Sequence, residues 1–156
     1  MKKQELYCKT QRKFRVTTDS KHSLPIAQNL LDRNFTAQEP DEKYVGDITY
    51  IWTAQGWMYL AVVIDLFSRR IVGWAMDDNM RAELVNSALL MAIDSRKPKP
   101  GLLWHTDRGS QYASDSHRQI LENNKITQSM SRRGNCWDNG VPRAQAVKLR
   151  TDVHAV

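Results

Sequence analysis

Cysteine, long apolar runs and a secretory leader are scarce or missing in this sequence. The two cysteines, Cys8 and Cys136, lie far apart and form no C-x-x-C pair, which argues against a disulfide framework and a cysteine zinc site. We interpret both as reduced thiols. No stretch approaches the ~20 consecutive apolar residues of a membrane span, and residues 1–14 are basic without the apolar core of a secretory signal. The sequence therefore predicts a cytoplasmic globular protein.

The charge of the chain is concentrated near its start. Of 156 residues, 41% are hydrophobic and 26% are charged, which is typical of one globular domain. The net charge is +6, and residues 1–35 carry eight lysines and arginines against three acidic residues. A basic arm can bind a polyanion by releasing counterions, although charge alone fits a solvated tail equally well. Polar residues around Pro40 divide the sequence into an arm and linker, 1–40, and a domain, 41–156.

The spacing of apolar residues changes along the domain from period two to period 3.6. Alternation with β-branched and aromatic residues predicts an antiparallel three-stranded meander, and a helical stripe follows it. The order β-β-β-α-β-α-β-α predicts an α/β domain. The predicted elements are strands 43–53, 57–67 and 71–76, a helix over 81–96, a strand 102–106, a helix over 114–125 capped by Ser114 or Asp115, a strand 126–130, and a helix over about 141–154 that Asp138 or Asn139 would cap.

Asp47 is out of place in the first strand. It shares a face with Val45, Thr49 and Ile51, which are expected to be buried, and aspartate is depleted in strand interiors. A buried carboxylate costs several kcal/mol unless it is paired or bound to a metal. The alternative is an aspartate on a solvated face or bonded to a turn.

Asp107 follows the fourth predicted strand, in the stretch "GLLWHTDRGSQY". Taken alone, Asp-Arg-Gly-Ser favours an ordinary Asx-turn. If the strand before it runs parallel to the first strand, however, Asp107 and Asp47 emerge side by side. Two neighbouring carboxylates are what Mg²⁺ binds, usually with retained waters and substrate phosphate oxygens.

Other polar and aromatic candidates are better explained structurally. Asp65 closes the second strand, where it can brace the turn that follows, and His105 and His117 lack the spacing of zinc ligands. The five tryptophans are expected to be core residues and strand anchors rather than base-stacking platforms. They are Trp52, Trp57, Trp74, Trp104 and Trp137.

Three segments carry a resemblance to a known family. "YVGDITYIWTAQGWMYLAVVIDLFSRRIVGWAM", "LLWHTDRGSQYAS" and "ITQSMSRRGNCWDNG" resemble the catalytic core of bacterial insertion-sequence transposases of the DDE type, relatives of retroviral integrases. The resemblance covers residues 13–142. It implies a ribonuclease H-like fold, with a five-stranded mixed sheet flanked by helices. It also implies that the end-recognition region and the C-terminal tail of full-length relatives are reduced or absent here, so that the core is truncated.

The resemblance implies a function in DNA transposition and DNA integration. Asp47 and Asp107 match the first two catalytic and metal-binding carboxylates, which hold Mg²⁺, or Mn²⁺ as a substitute, for phosphodiester cleavage and strand transfer. The implied partners are double-stranded DNA of element ends and target, and further copies of the chain or intact transposase. The location would be the bacterial cytoplasm, on the nucleoid. Candidate DNA-binding residues are Lys9, Arg12, Lys13, Arg15, Arg132 and Arg133.

The third carboxylate of the family is missing. The family's spacing puts a glutamate at position 143, where this sequence has Arg143. On a helix, neither Asp138 nor Asp152 would lie on the same face close to that position. An arginine there adds positive charge where a second metal ion needs negative charge. We therefore expect an impaired enzyme; the alternatives are a catalytically dead DNA-binding or interaction remnant and, less favoured, a metal-dependent nuclease of similar fold.

Overall fold

The computed structural model describes residues 21–133 and Asp138, and within them it forms one five-stranded mixed sheet with two helices. The strand order is β3-β2-β1-β4-β5. The β1/β2 and β2/β3 pairs are antiparallel, whereas β1/β4 and β4/β5 are parallel. The elements are β1 Lys43–Thr53, β2 Gly56–Asp65, β3 Ile71–Asp77, α1 Ala82–Arg96, β4 Leu103–Thr106, α2 Asp115–Asn123 and β5 Thr127–Met130.

The predicted elements are confirmed in type and order as far as β5, and their boundaries move by a residue or two. Strand β2 ends at Asp65 rather than at residue 67, because the Asp65 carboxylate accepts hydrogen bonds from Ser68 Oγ at 2.6 Å and from the Ser68 amide at 3.1 Å. This confirms that Asp65 braces the turn. Ser114, rather than Asp115, is the cap of α2, since its hydroxyl accepts from the amide of His117. The predicted final helix lies outside the described residues.

Helix α1 covers one face of the sheet. Its apolar stripe packs against β2 and β3, in one cluster with Tyr44 and Ile48 of β1; the buried stripe residues are Leu84, Val85, Ala88, Leu89 and Ala92. The contact at β3 depends on Gly73, because a Cβ there would overlap the carbonyl oxygen of Ala88. No helix in the described part of the chain is long and apolar enough to cross a membrane.

The other face of the sheet carries a second apolar cluster, to which the segment before β1 contributes. Leu31 is only 2% exposed and packs with Val45, Val62 and Ile64. The amides of Leu30 and Leu31 donate to the hydroxyl of Ser129 in β5, at 2.9 and 3.2 Å. The described part of the predicted arm, from residue 21, is therefore joined to the sheet by packing and hydrogen bonds. Residues 1–20 lie outside the described part.

Candidate metal centre at the ends of two parallel strands

The register of the two central parallel strands brings Asp47 and Asp107 to the same part of the sheet. Strand β1 pairs with β4 so that Val45 lies opposite His105. Asp47 comes two residues after Val45, and Asp107 two residues after His105, immediately beyond the end of β4. Neighbouring strands lie ~4.8 Å apart, so the continued register puts the two aspartates side by side. We expect their carboxylates within about 6 Å of each other, close enough to share one ion.

Asp47 is buried in the middle of the central strand. It is 8% exposed, and its cross-strand partner Val62 is fully buried in the second apolar cluster. A solvated-face aspartate is therefore not what the structure contains. An ionised carboxylate in these surroundings is costly unless other groups or a cation compensate it.

Asp107 forms the Asx-turn that its local sequence favours, and the turn orients the carboxylate. Oδ1 accepts a hydrogen bond from the amide of Gly109 at 2.8 Å. Gly109 has little room for a side chain, since a Cβ there would lie 3.0 Å from Asp107 Oδ1 and 2.7 Å from Gln111 Oε1. A carboxylate has about four acceptor positions, so one amide hydrogen bond is compatible with metal binding.

The pKa of the Tyr112 phenol is affected by both aspartates. Burial raises its pKa well above the usual value, and the negative charges of Asp107 and Asp47 raise it further. Tyr112 therefore stays protonated and cannot add a third negative charge to the site.

The donor set fits a hard divalent cation such as Mg²⁺. Mg²⁺ is usually held by one or two carboxylates and keeps several waters. The Oε1 atom of Gln111 is buried close to Asp107 and has no hydrogen-bond partner among the residues described, which is typical of a position that a bound group completes. Within residues 21–133 and Asp138, no three carboxylate, histidine or cysteine side chains converge as metal ligands. Position 143, where the family has its third carboxylate, lies outside this range.

The two buried histidines are structural, as predicted. His117 accepts from Trp104 Nε1 at 2.9 Å and lies 2.7 Å from Asn86 Oδ1. His105 bonds to the hydroxyl of Ser129 and to the backbone oxygen of Asp138, which ties β4 to β5 two residues before Asp107. Burial lowers the pKa of both rings, so both are neutral near pH 7. Neither belongs to a group of three or more metal-ligand side chains in the described part of the chain.

Comparison with known families decides what kind of domain this is. Residues 37–136 match the family model described as an integrase core domain. The chain belongs to this integrase core family. Its predicted ribonuclease H-like fold is confirmed by solved integrase catalytic cores. A simian T-cell lymphotropic virus intasome chain aligns with TM-score 0.69 and 21% identity over 86% of this chain and 46% of that one. The HTLV-2 integrase catalytic core solved with magnesium aligns with TM-score 0.62 and 19% identity over 74% and 71%.

Curated bacterial relatives are much closer in sequence to this integrase core. A 31 kDa protein of insertion element IS600 from Shigella sonnei is 47% identical over 138 residues, which is 88% of this chain and 51% of the relative. The transposase InsF of insertion sequence IS3A from Escherichia coli K12 is 45% identical over 139 residues, which is 89% and 48% respectively. The chain thus spans about half the length of the curated relatives it matches.

In this integrase core, Asp138 is the hub of a hydrogen-bonded cluster that joins the segment before β1 to the loop after β5. Its buried carboxylate accepts from Arg132 Nε at 2.9 Å, from Arg33 Nε at 2.9 Å and from Asn29 Nδ2 at 3.0 Å. Hydrogen bonds from Arg132 hold the pKa of Asp138 well below its usual range. Asp138 is thus committed to these residues, as expected for a residue that does not replace the third carboxylate.

The predicted DNA-binding arginines of the same loop differ in their surroundings. Arg132 also contacts Asp32 at 3.1 Å, so its charge is largely matched by two carboxylates. Arg133 is exposed. Lys9, Arg12, Lys13 and Arg15 lie outside the described residues. The hub around Asp138 was not predicted from the sequence, because its partners Asn29 and Arg33 lie about a hundred residues away and leave no local pattern around Asp138.

The tryptophans divide in a way the sequence did not predict. Trp104 is buried beside Tyr112 and His117, as expected for a core residue. Trp52 and Trp74 are on strands but are half exposed. Trp57 packs edge-on against Trp52, and Trp137 lies outside the described residues.

Proposed function

We propose that this chain is the catalytic core of a bacterial insertion-sequence transposase, acting in DNA transposition and integration. The observation that carries the proposal is the register of β1 and β4, which brings buried Asp47 and turn-held Asp107 together in a chain of the integrase core family. The curated relatives named as transposase InsF support the same substrate class, DNA. By this proposal the protein works on the bacterial nucleoid.

The two aspartates would hold Mg²⁺, or Mn²⁺ in its place. Metal bound there would polarise a phosphodiester and lower the pKa of an attacking water or DNA 3′-hydroxyl. The chain contributes the geometry, since the Gly109 amide fixes one oxygen of Asp107 and strand β1 fixes Asp47. Fixed ligands matter because misplacement by 1 Å can cost on the order of 100-fold in rate.

We further propose that Arg143 impairs catalysis, because it stands where the family has a carboxylate. The test is nicking of supercoiled DNA with Mg²⁺ by the wild-type chain, by Asp107→Asn, by Arg143→Glu, and by the variant that combines both substitutions. We expect Arg143→Glu to raise the rate on the order of 100-fold or more, and Asp107→Asn to abolish that gain. Wild-type nicking that Asp107→Asn abolishes would refute impairment. Nicking that ignores Asp107 would refute the site itself.

A second candidate function is an inactive remnant that joins intact transposase and blocks it. Arg143 favours this function, and the intasome and trimeric forms of structural relatives make self-association plausible for the fold. The discriminating measurement is strand transfer by a full-length relative, titrated with this chain. Inhibition that persists in Asp107→Asn needs no chemistry at Asp107. It therefore indicates co-assembly, in which this chain joins the relative either as single copies or as its own homo-oligomer.

DNA binding is assigned to the arm and the loop after β5. Residues 1–20 carry six lysines and arginines against two acidic residues, and Arg133 is exposed. Since Leu24, Ala27, Leu31, Phe35 and Ala37 pack in the apolar clusters of the domain, the informative deletion is residues 1–20 alone. A variant with Lys9, Arg12, Lys13 and Arg15 changed to glutamine should make the slope of log K against log salt shallower by about 3 to 4. An unchanged salt slope would indicate that the arm is a solvated tail and does not bind DNA.

A further inference from the structure

Gln111 lies in the turn after β4 and has a buried carboxamide with one half satisfied. Its Nε2 donates to the backbone oxygen of Met80 at 2.9 Å. A backbone oxygen only accepts hydrogen bonds, so this contact fixes which end of the amide is nitrogen. The oxygen, Oε1, therefore points the other way. The residue is 8% exposed, and Oε1 has no hydrogen-bond partner in the described part of the protein.

The unsatisfied oxygen lies beside the carboxylate of Asp107. Gln111 Oε1 and Asp107 Oδ1 lie 2.7 and 3.0 Å from the same point, the position that a Cβ on Gly109 would occupy. The two oxygens are thus less than about 6 Å apart. Because residue 109 is a glycine, no side chain fills the space between them. A small group bound to Asp107 can therefore reach Gln111.

The chemistry of two acceptors selects the group that fits between them. A phosphate oxygen is itself an acceptor and would be repelled by Gln111 Oε1. A water on a divalent cation is a strong donor, because the cation polarises its O–H bonds. Mg²⁺ keeps several such waters when carboxylates hold it, and hydrogen bonds to the outer shell orient the ligands.

We propose that Gln111 is a positioning residue of the metal centre, whose Oε1 accepts a hydrogen bond from a water on the ion held by Asp107. The inference rests on the proposed function, since it requires that Asp107 bind a cation. Gln111 is held in place from the far side by Met80, in the segment that connects β3 to α1. The β3–α1 connection would then set the orientation of a metal-bound water without touching the metal.

The experiment is a titration of the full chain with Mg²⁺ by calorimetry and with Mn²⁺ by electron paramagnetic resonance. Gln111→Met keeps the length of the side chain but removes the acceptor and the donor. Gln128→Met is the matched control, since Gln128 Nε2 also donates to a backbone oxygen, that of Tyr112, at 2.8 Å. We expect Gln111→Met to weaken Mn²⁺ binding about 10-fold or more, and Gln128→Met to leave it within about twofold.

One further variant and one further measurement make every outcome informative. Gln111→Glu loses the donor to Met80 but keeps acceptor oxygens and adds a negative charge beside Asp107, so it should bind Mn²⁺ at least as tightly as the wild-type chain. Without metal, Gln111→Met should unfold at a higher temperature than Gln128→Met, because both lose an amide-to-carbonyl bond but only the first removes an unsatisfied buried oxygen.

The outcomes separate this inference from the proposed function. No binding to the wild-type chain, or binding that survives Asp107→Asn, overturns the proposed metal site. Binding that needs Asp107 but is equal in Gln111→Met and Gln128→Met overturns the role of Gln111 alone. Should Gln111→Met fail to fold, Gln111→Glu decides: wild-type or tighter affinity supports the role, and weaker affinity overturns it.

Discussion

Acid should destabilise this domain through His117, and the structure fixes the reason. The ring is fully buried between β4, α1 and α2. Its Nε2 accepts from the indole N–H of Trp104, so the ring proton lies on Nδ1, which faces Asn86 Oδ1. Protonating Nε2 would place two N–H groups against each other. Burial lowers the pKa of His117 from 6.5 to about 4.

The size and sign of the effect follow from the two pKa values. An unfolded chain takes up this proton near pH 6.5, whereas the folded chain resists it until about pH 4. The unfolded state therefore binds more protons between these values, and the folding stability falls as the pH falls from 6.5 to 4. The stabilisation is fully present above pH 6.5. Its full size is about 3 kcal/mol, an order-of-magnitude figure.

The assay is urea unfolding at pH 7.5, 6.0, 5.0 and 4.5, followed by tryptophan fluorescence and circular dichroism. The comparison variant is His117→Gln, which keeps an acceptor near Trp104 but does not titrate. We expect the free energies of wild type and variant to converge as the pH falls, by up to about 1.4 kcal/mol per pH unit. Parallel pH curves would refute the reasoning. His105 acts in the same direction, so His117→Gln should flatten the curve without abolishing its slope.

Two other substitutions test the packing and the hub. Gly73→Ala should lower the free energy of unfolding, measured in urea, by about 3 kcal/mol or more, because the added Cβ would overlap the Ala88 carbonyl oxygen and lie 2.9 Å from Ala92. A loss below about 1 kcal/mol would contradict the close contact of β3 and α1. Asp138→Asn should lower the free energy of unfolding by about 2 kcal/mol, because it weakens the bonds to Arg33 and Arg132. Asp115 forms an exposed ion pair with Arg118, so Asp115→Asn should change the free energy of unfolding by less than about 0.5 kcal/mol. Equal losses in the two aspartate variants would refute the hub.

The sheet and α1 could be predicted because their periods are strong and local. Strand β1 is rich in β-branched and aromatic residues along its eleven residues, and helical spacing places Leu84, Val85, Ala88, Leu89 and Ala92 on the one face of α1 that is buried. The end of β2 shifted because a side chain, Asp65, took over the backbone groups of the following turn. Apolar pattern alone does not contain that competition.

The segment before β1 could not be predicted, because its contacts are distant in the chain. The amide of Leu31 donates to the hydroxyl of Ser129, which follows 98 residues later in the chain. The basic composition of residues 1–35 suggested an arm, yet Arg33 is used in an ion pair with Asp138. Charge composition gives the number of lysines and arginines in a segment, but it does not show which of them already form ion pairs with carboxylates of the fold.

Asp47 and Gln111 are both buried polar residues, but sequence rules identify only Asp47 as unusual. A carboxylate inside a strand violates local propensity, so Asp47 is noticed at once. A glutamine in a turn violates nothing, and its unsatisfied Oε1 exists only because folding carries it under the surface beside Asp107. Gln111 makes the chain without metal less stable than it could be, because its buried acceptor has no hydrogen-bond partner among the residues described. By the proposal above, a water on a cation held by Asp107 would satisfy this acceptor, and the register of β1 and β4 would bring the same cation close to Asp47.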